Sequence, residues 1–309
     1  MNEPVAGGRR PGAGGLDGVV LLDKPLGLTS NVALQKVKRL FGIRKAGHTG
    51  SLDPLATGLL PVCLGQATRF SGYLLESAKG YRVTGRLGAR TATGDAEGEV
   101  VETCEWRQLD RAAFEAGLAA FQGKLEQVPP MYSALKQGGE RLYRKARRGE
   151  EVARPPRRIE IRSLALTSWA PPDFSLQLHC SKGTYVRTLV EDVARRAGSC
   201  AHVTALRRFA VGPFDEADMR TLAELEVLAG EGRLAEAVLP CDAALAGLPA
   251  LQLSPDEAAR IRQGQPVEAP GTDDNALLRL YGGEEFLGVG MRGADGTLRA
   301  KRLMATAMA

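Results

Sequence analysis

Asp53 is the only acidic residue between Asp23 and Glu76. It lies in the stretch GHTGSLDPLATG, Gly47 to Gly58, which carries glycines at 47, 50 and 58 between two apolar segments. Glycine admits positive φ and lets a ligand approach the backbone. A long loop of this composition usually serves a site. A single carboxylate set on such a loop has what a carboxylate nucleophile needs, an anionic oxygen held where a substrate can reach it. The competing reading is that Asp53-Pro54 merely starts a turn or caps a helix.

Other residues of the chain carry polar chemistry in similar settings. His48 shares the loop. The run Gly42 to Thr49 nearly spells a phosphate-binding P-loop, but His48 stands where the phosphate-contacting lysine belongs, which argues against nucleotide hydrolysis. Tyr81 sits in an alternating stretch, Lys79 to Leu87, with Val83 and Leu87 on its face. A core tyrosine with a satisfied hydroxyl is the ordinary reading there. Tyr185 and Arg187 follow Ser181-Lys182-Gly183-Thr184 into a helical stretch that ends at Gly198. Two positions apart on a regular helix, they diverge by about 200°. Both face one site only if the first turn is irregular or only just begun. Three histidines (48, 179, 202) lie too far apart in sequence to read as a zinc site. Five cysteines (63, 104, 180, 200, 241) form no CxxC pair and read as buried or free thiols of a reducing cytosol.

The stretch GHTGSLDPLATGLLPVCLGQATRF resembles the signature of the bacterial TruB-type tRNA pseudouridine synthases, which isomerise uridine 55 in the T arm of tRNA. The resemblance runs from about Gly18 to the C-terminus through several motifs in order. It implies that Asp53 is the nucleophile. It implies that Lys24 and Pro25 support the catalytic loop, and that Tyr81 stacks on the target base and is the candidate proton-transfer group. Tyr185 and Arg187 would line the active site, and Leu206 would pack against the target nucleotide. The reaction needs no metal, redox cofactor or nucleotide. Its uridine lies inside a folded arm and must be flipped out, with His48 placed to fill the vacated space. Arg187 beside Asp53 would favour the ionised carboxylate and aim it.

The elements that must position these residues follow from pattern and composition. Gly18 to Leu22 reads as a buried strand. Thr29 or Ser30 caps a helix whose apolar face is Val32, Leu34, Val37, Leu40 and Phe41, with Gly42 as its stop. Asp110 caps a second helix, and Arg158 to Leu166 and Phe174 to Cys180 alternate as strands. The fold class expected is mixed α/β, a central, largely antiparallel sheet flanked by helices. Residues 1–17, rich in glycine, read as a disordered tail. The resemblance makes 18–248 the catalytic domain, with a basic thumb insertion at about 123–158, and 249–309 a PUA-like RNA-binding unit. That last unit shows a capping box at Ser254 and three strand-like runs.

Net charge is +5, and Lys136 to Arg162 alone holds ten basic and four acidic residues, 10 − 4 = +6. All the excess positive charge therefore sits in one segment, and Arg144, Lys145, Arg147 and Arg148 at its centre suit phosphate contacts. A solvated helix face is the plainer reading of such a run. No run of 18 apolar residues and no signal-peptide core is present, so a cytoplasmic protein with no membrane contact is expected. A monomer without an obligate protein partner is the expected state. An RNA-binding module without catalysis, and a guide-RNA-dependent relative of the same family, remain as alternatives.

Overall fold

The computed structural model describes residues 16–269 and 273–305. Apart from Leu16 and Asp17, the residues read as a tail lie outside that range. Asp17 accepts a hydrogen bond from the Gln66 amide at 2.7 Å.

The chain runs through β1 (Gly18–Lys24), α1 (Ser30–Leu40), β2 (Ala46–His48), β3 (Ala56–Leu64), α2 (Ser71–Glu76) and β4 (Lys79–Leu87). β5 (Ala89–Thr91) and β6 (Val100–Thr103) form a hairpin, followed by α3 (Arg111–Leu118) and β7 (Gly123–Gln127). The basic excursion holds the short pair β8 (Lys136–Gln137) and β9 (Glu140–Arg141), then α4 (Leu142–Arg147). β10 (Arg157–Ala170), β11 (Asp173–Cys180), α5 (Val186–Arg196), β12 (Ala201–Val211) and α6 (Leu222–Gly230) complete the larger part. Its strands form one eight-stranded sheet in the order β1-β3-β12-β4-β11-β10-β7, with β2 added against β3. Within it only β12 and β3 pair in parallel, so the sheet is largely antiparallel and flanked by helices, as expected.

β1 shows why this sheet is central. Val20 and Leu22 enter the cluster that includes Val37 of α1 and Val190 of α5, while Val19 and Leu21 enter a second cluster with Leu59, Cys63 and Leu74. A strand covered on both faces reads as a continuous apolar run, which is what GVVLL is. β11 keeps the opposite pattern, with Phe174, Leu176, Leu178 and Cys180 buried and their neighbours half-buried. α1 is capped by Thr29, whose hydroxyl accepts from the Val32 amide at 3.2 Å. Its inward face is Ser30, Ala33, Leu34 and Val37; Val32 is 44% exposed, a correction to the sequence reading by one turn position. The sequence reading also assigned no element to 201–211, yet β12 runs there between β3 and β4.

The thiol reading is corrected as well. Cys104 and Cys200 form a disulfide across 96 residues, with their Cα atoms 5.7 Å apart. The β5–β6 hairpin brings them together: the Cys104 amide bonds the Gly88 carbonyl at 3.0 Å and the Gly88 amide bonds the Cys200 carbonyl at 2.8 Å. That approach is made through the fold and leaves no local spacing signal. Cys63, Cys180 and Cys241 are buried free thiols.

The C-terminal part contains β13 (Ala250–Leu253), α7 (Pro255–Arg262), β14 (Val267–Glu268), β15 (Leu277–Gly282), β16 (Glu285–Arg292) and β17 (Thr297–Leu303). Its five-stranded sheet runs β13-β15-β16-β17-β14. Ser254 caps α7 with the expected box, its hydroxyl accepting from the Glu257 amide at 3.3 Å. The sheet packs on the larger part through Phe70, Leu245, Val289 and Phe286, and the Tyr281 hydroxyl donates to Asp242 at 2.6 Å. Among the described residues, none of the helices is long and apolar enough to cross a membrane. Thiol titration of the denatured, unreduced protein should count three reactive sulfurs, rising to five after reduction.

Candidate active site

Asp53 is held by a loop whose backbone is tied at many points. The hydroxyl of Ser30, first residue of α1, accepts from the Leu52 amide at 2.7 Å and donates to the Leu52 carbonyl at 3.0 Å. The Gly27 amide donates to the Pro54 carbonyl at 2.8 Å, and the Ala56 amide to the Asp53 carbonyl at 3.0 Å. The loop returns to the sheet at Gly58, whose φ is +98°. A Cβ there would lie 2.2 Å from the Arg208 carbonyl oxygen, so only glycine fits. Lys24, fully buried, sits beneath this turn and donates to the carbonyls of Pro25 at 2.8 Å and Leu28 at 2.7 Å.

Arg187 reaches the loop from α5. Its Nη2 lies 3.0 Å from Asp53 Oδ2, and its Nη1 lies 3.5 Å from Asp95 Oδ2. The same guanidinium donates to the Tyr132 carbonyl at 2.8 Å and to the Thr93 carbonyl. Tyr185 has extended backbone angles, φ −98° and ψ 106°, and is the N-cap of α5; Arg187 follows in the first turn. The 200° divergence of a regular helix therefore does not apply to this pair. Gln127, at the end of β7, fixes the cap: its side-chain oxygen accepts from the Tyr185 amide at 2.8 Å and its nitrogen donates to the Tyr185 carbonyl at 3.1 Å.

The sheet supplies the remaining wall. Tyr81 of β4 pairs with Arg208 of β12 and Leu178 of β11, and Leu206 pairs with Val83 and with Ala56. Tyr81, Leu206, Leu52 and Ala56 belong to one buried cluster. The charge of Asp53 disfavours ionisation of the hydroxyls of both Tyr81 and Tyr185. His48, on β2, is partly buried, and its Nδ1 has no hydrogen-bond partner among the described residues.

The ionisation states follow from burial and neighbours. Burial raises the Asp53 pKa above its ordinary 3.8; Arg187 opposes the rise, Asp95 adds to it and Lys24 opposes it. Burial pulls Lys24 down to about 8, against the attraction of Asp53. Burial also raises the Tyr81 hydroxyl, while Arg208 favours its ionised form. His48 is held below its ordinary value by burial and by Arg208. The arrangement is a half-exposed carboxylate aimed by one buried guanidinium, beside an apolar and aromatic wall. It suits covalent attack on a flat, neutral ring system or on the sugar it joins. Among the described residues no group of three His, Cys, Asp or Glu side chains is placed to hold a metal ion.

The basic excursion differs within itself. Arg144 and Arg147 are exposed and Lys145 is partly so, with Arg147 over the Tyr143 ring at 5.8 Å. Arg148 instead contacts Glu140 and Glu150, each at 2.7 Å. Sequence reasoning missed Asp95, Gln127, Ser30 and Arg208. For Asp95 a turn-like run, Thr91 to Glu99, was the one signal available; the other three are ordinary residue types whose roles arise only from long-range pairing.

Comparison with known families gives TruB family pseudouridylate synthase (N terminal domain) over residues 38–186. The tRNA pseudouridylate synthase B C-terminal domain matches residues 187–246, and Pseudouridine synthase II TruB, C-terminal, matches 249–304. The chain is 50% identical over 292 residues to a tRNA pseudouridine synthase B of Nitrosococcus oceani, covering 94% of this chain and 95% of that one. It is 48% identical over 293 residues to the protein of the same name from Coxiella burnetii, at 94% and 95% coverage. Among solved structures, the fold is similar to a chain of an H/ACA RNP bound to a substrate RNA containing 2′-deoxyuridine. That match has a TM-score of 0.73 at 21% identity, over 94% of this chain and 85% of that one.

The carboxyl titration of Asp53, followed by carbon NMR, should have its midpoint above 3.8. Replacing Arg187 by Met removes the charge that favours the anion, so the midpoint should rise further. A midpoint at or below 3.8, or a fall on that substitution, would contradict the electrostatics described.

Proposed function

The chain belongs to the TruB family of pseudouridylate synthases, and we propose that Asp53 is the nucleophile of a tRNA pseudouridine synthase acting on uridine 55 of the T arm. The reaction is an isomerisation. The glycosidic bond from C1′ to N1 breaks, the uracil turns within the site, C1′ joins C5, the C5 proton leaves and N1 gains one. The observation that carries the reading is the 3.0 Å contact between Arg187 and Asp53 on a loop braced by Ser30, Gly27 and Lys24.

A carboxylate adds to C6 of the base or to C1′ of the ribose, and either step needs it ionised. Arg187 stabilises that form against the burial that opposes it. Tyr81 and Leu206 form the wall against which the detached base is kept from escaping. The Tyr81 hydroxyl is the group near the base that can move a proton. Tyr185 closes the pocket on the other side, held by Gln127. His48, neutral and partly buried on the strand next to the loop, occupies the gap left by the flipped nucleotide. Thumb residues Arg144, Lys145 and Arg147 contact phosphates, and the C-terminal sheet extends the RNA surface. The substrate places the enzyme in the cytoplasm, where it acts as a monomer without a guide RNA. The naming of relatives at 47–50% identity supports tRNA as the direct substrate; the likeness to the H/ACA particle, at 21%, concerns the fold.

Asp53→Asn keeps the shape and removes the anionic oxygen. It should bind unmodified tRNA and form no pseudouridine, as read by mapping the modified position. Turnover by that variant would sink the assignment. Tyr81→Phe should lower the single-turnover rate by roughly 10²–10⁴, the usual contribution of a positioned acid or base.

Replacing Arg144, Lys145 and Arg147 together by Ala should weaken tRNA binding. It should also flatten the plot of log affinity against log salt by up to about 0.9 for each phosphate left without its cation, if the arm behaves as duplex DNA does. An unchanged slope would remove the thumb from the binding surface.

A further inference from the structure

Arg208 is the largest fully buried side chain of the described residues, at 1% exposure. No carboxylate among the described residues lies within 4.0 Å of its guanidinium. A buried cation without a counter-ion is unfavourable, and an apolar side chain of similar length would fill the same space at less cost. The contacts that Arg208 does make converge on the catalytic loop. Its Nε donates to the Leu59 carbonyl at 2.7 Å and its Nη2 to the Gly50 carbonyl at 3.1 Å. These residues flank the stretch that carries Asp53. Gly50 takes a φ of +117°, which favours glycine, and that turn presents its carbonyl to Arg208.

The backbone position explains how one side chain reaches so far. β12 lies between β3 and β4, so Arg208 pairs with Gly58 on one side and with Tyr81 on the other. A β-bulge follows between Arg208 and Ala210, a feature that re-aims side chains in strands beside active sites. The charge of Arg208 favours the ionised form of the Tyr81 hydroxyl. The other charged or titratable groups that act on that hydroxyl are Cys180 of β11 and Asp53 of the loop. The charge of Arg208 also disfavours protonation of His48.

We propose that Arg208 is a positioning residue for the isomerisation, tying both ends of the nucleophile loop to β12, the strand paired with Tyr81, so that the Asp53 carboxylate and the Tyr81 hydroxyl keep a fixed separation. The proposal rests on the roles of Asp53 and Tyr81 in the proposed function. Arg208 touches no substrate atom in this role. It acts through two carbonyls, which a planar fork can bond together and an ammonium cannot bond in the same geometry.

The experiment compares Arg208→Lys, Arg208→Met and Tyr81→Phe, singly and combined, with the intact enzyme on unmodified tRNA. Single-turnover rate at saturating tRNA, tRNA affinity and thermal midpoint are measured for each. Misplacing a reacting group by about 1 Å costs on the order of 10²-fold in rate. Both Arg208 variants should therefore lose about that much, with affinity within a few-fold of the parent, and Lys should not rescue. Because Arg208 sets the place of the Asp53 carboxylate relative to the Tyr81 hydroxyl, its replacement should cost less in the Tyr81→Phe background. A folded Lys or Met variant with the parent rate would overturn the proposal. So would losses that simply multiply with that of Tyr81→Phe, or loss of the fold in both Arg208 variants. Failure of the underlying reading shows separately, as an inactive parent or an active Asp53→Asn.

Discussion

The site depends on one buried cation. Arg187 has 8% of its side chain exposed and lies between the carboxylates of Asp53 and Asp95. A guanidinium so placed needs acceptors on every edge, and it has them in the two carboxylates and the carbonyls of Thr93 and Tyr132. These four partners come from the catalytic loop, the β5–β6 hairpin and the start of the basic excursion. Three segments distant in sequence are thus brought to one point by a single charge. Removing any one of them would leave a buried group short of a partner, which costs more than the contact contributes. The disulfide between Cys104 and Cys200 ties the end of the same hairpin to the chain just before β12.

The loop around Asp53 is rigid for a related reason. Its backbone polar groups are met by Gly27 and Ser30 at the entry to α1 and by Arg208 of β12. A long loop that makes such bonds has little freedom left to lose when a substrate arrives. The glycines at 50 and 58 are what make the bonding possible, since both take positive φ and Gly58 abuts the Arg208 backbone. The parallel pairing of β12 with β3 then fixes where the loop re-enters the sheet. Tyr81, one strand further along, inherits its distance from Asp53 through that register.

What the sequence made legible follows the same division. Asp53, Lys24, Tyr81 and Arg187 stand out because they sit in strings whose local composition is unusual, and a family resemblance rests on such strings. The β11 alternation and the caps at Thr29, Asp110 and Ser254 are local signals too, and the structure has each of them. β12 was not recognised as a strand, because its two register shifts break the period-2 pattern that marks one. Asp95 and Gln127 look like turn and strand-end residues until the sheet brings them to Arg187 and Tyr185. The Cys104–Cys200 bond spans 96 residues and has no spacing to betray it. Each of these omissions is a long-range pairing, decided by topology and invisible to a window of a dozen residues.

The electrostatics of Asp53 show why such pairings matter for chemistry. Burial alone would favour the neutral acid, which cannot attack. A fully exposed aspartate would ionise readily but would be solvated and unaimed. The observed side chain lies between these limits, 43% exposed while its cation is almost wholly buried. Burial still acts on the carboxylate, and the adjoining arginine offsets part of that effect while the carboxylate keeps one side exposed. The arginine tolerates burial because it stays protonated over the whole working range and because Asp95 and two carbonyls share its charge. Asp95 therefore has two opposed effects. It repels the Asp53 anion directly, and it holds in place the guanidinium that stabilises that anion. Direct repulsion between two separated carboxylates is weaker than the contact at 3.0 Å, since Coulomb energy falls with distance. The second effect is the larger, and the two acids of this site share one guanidinium.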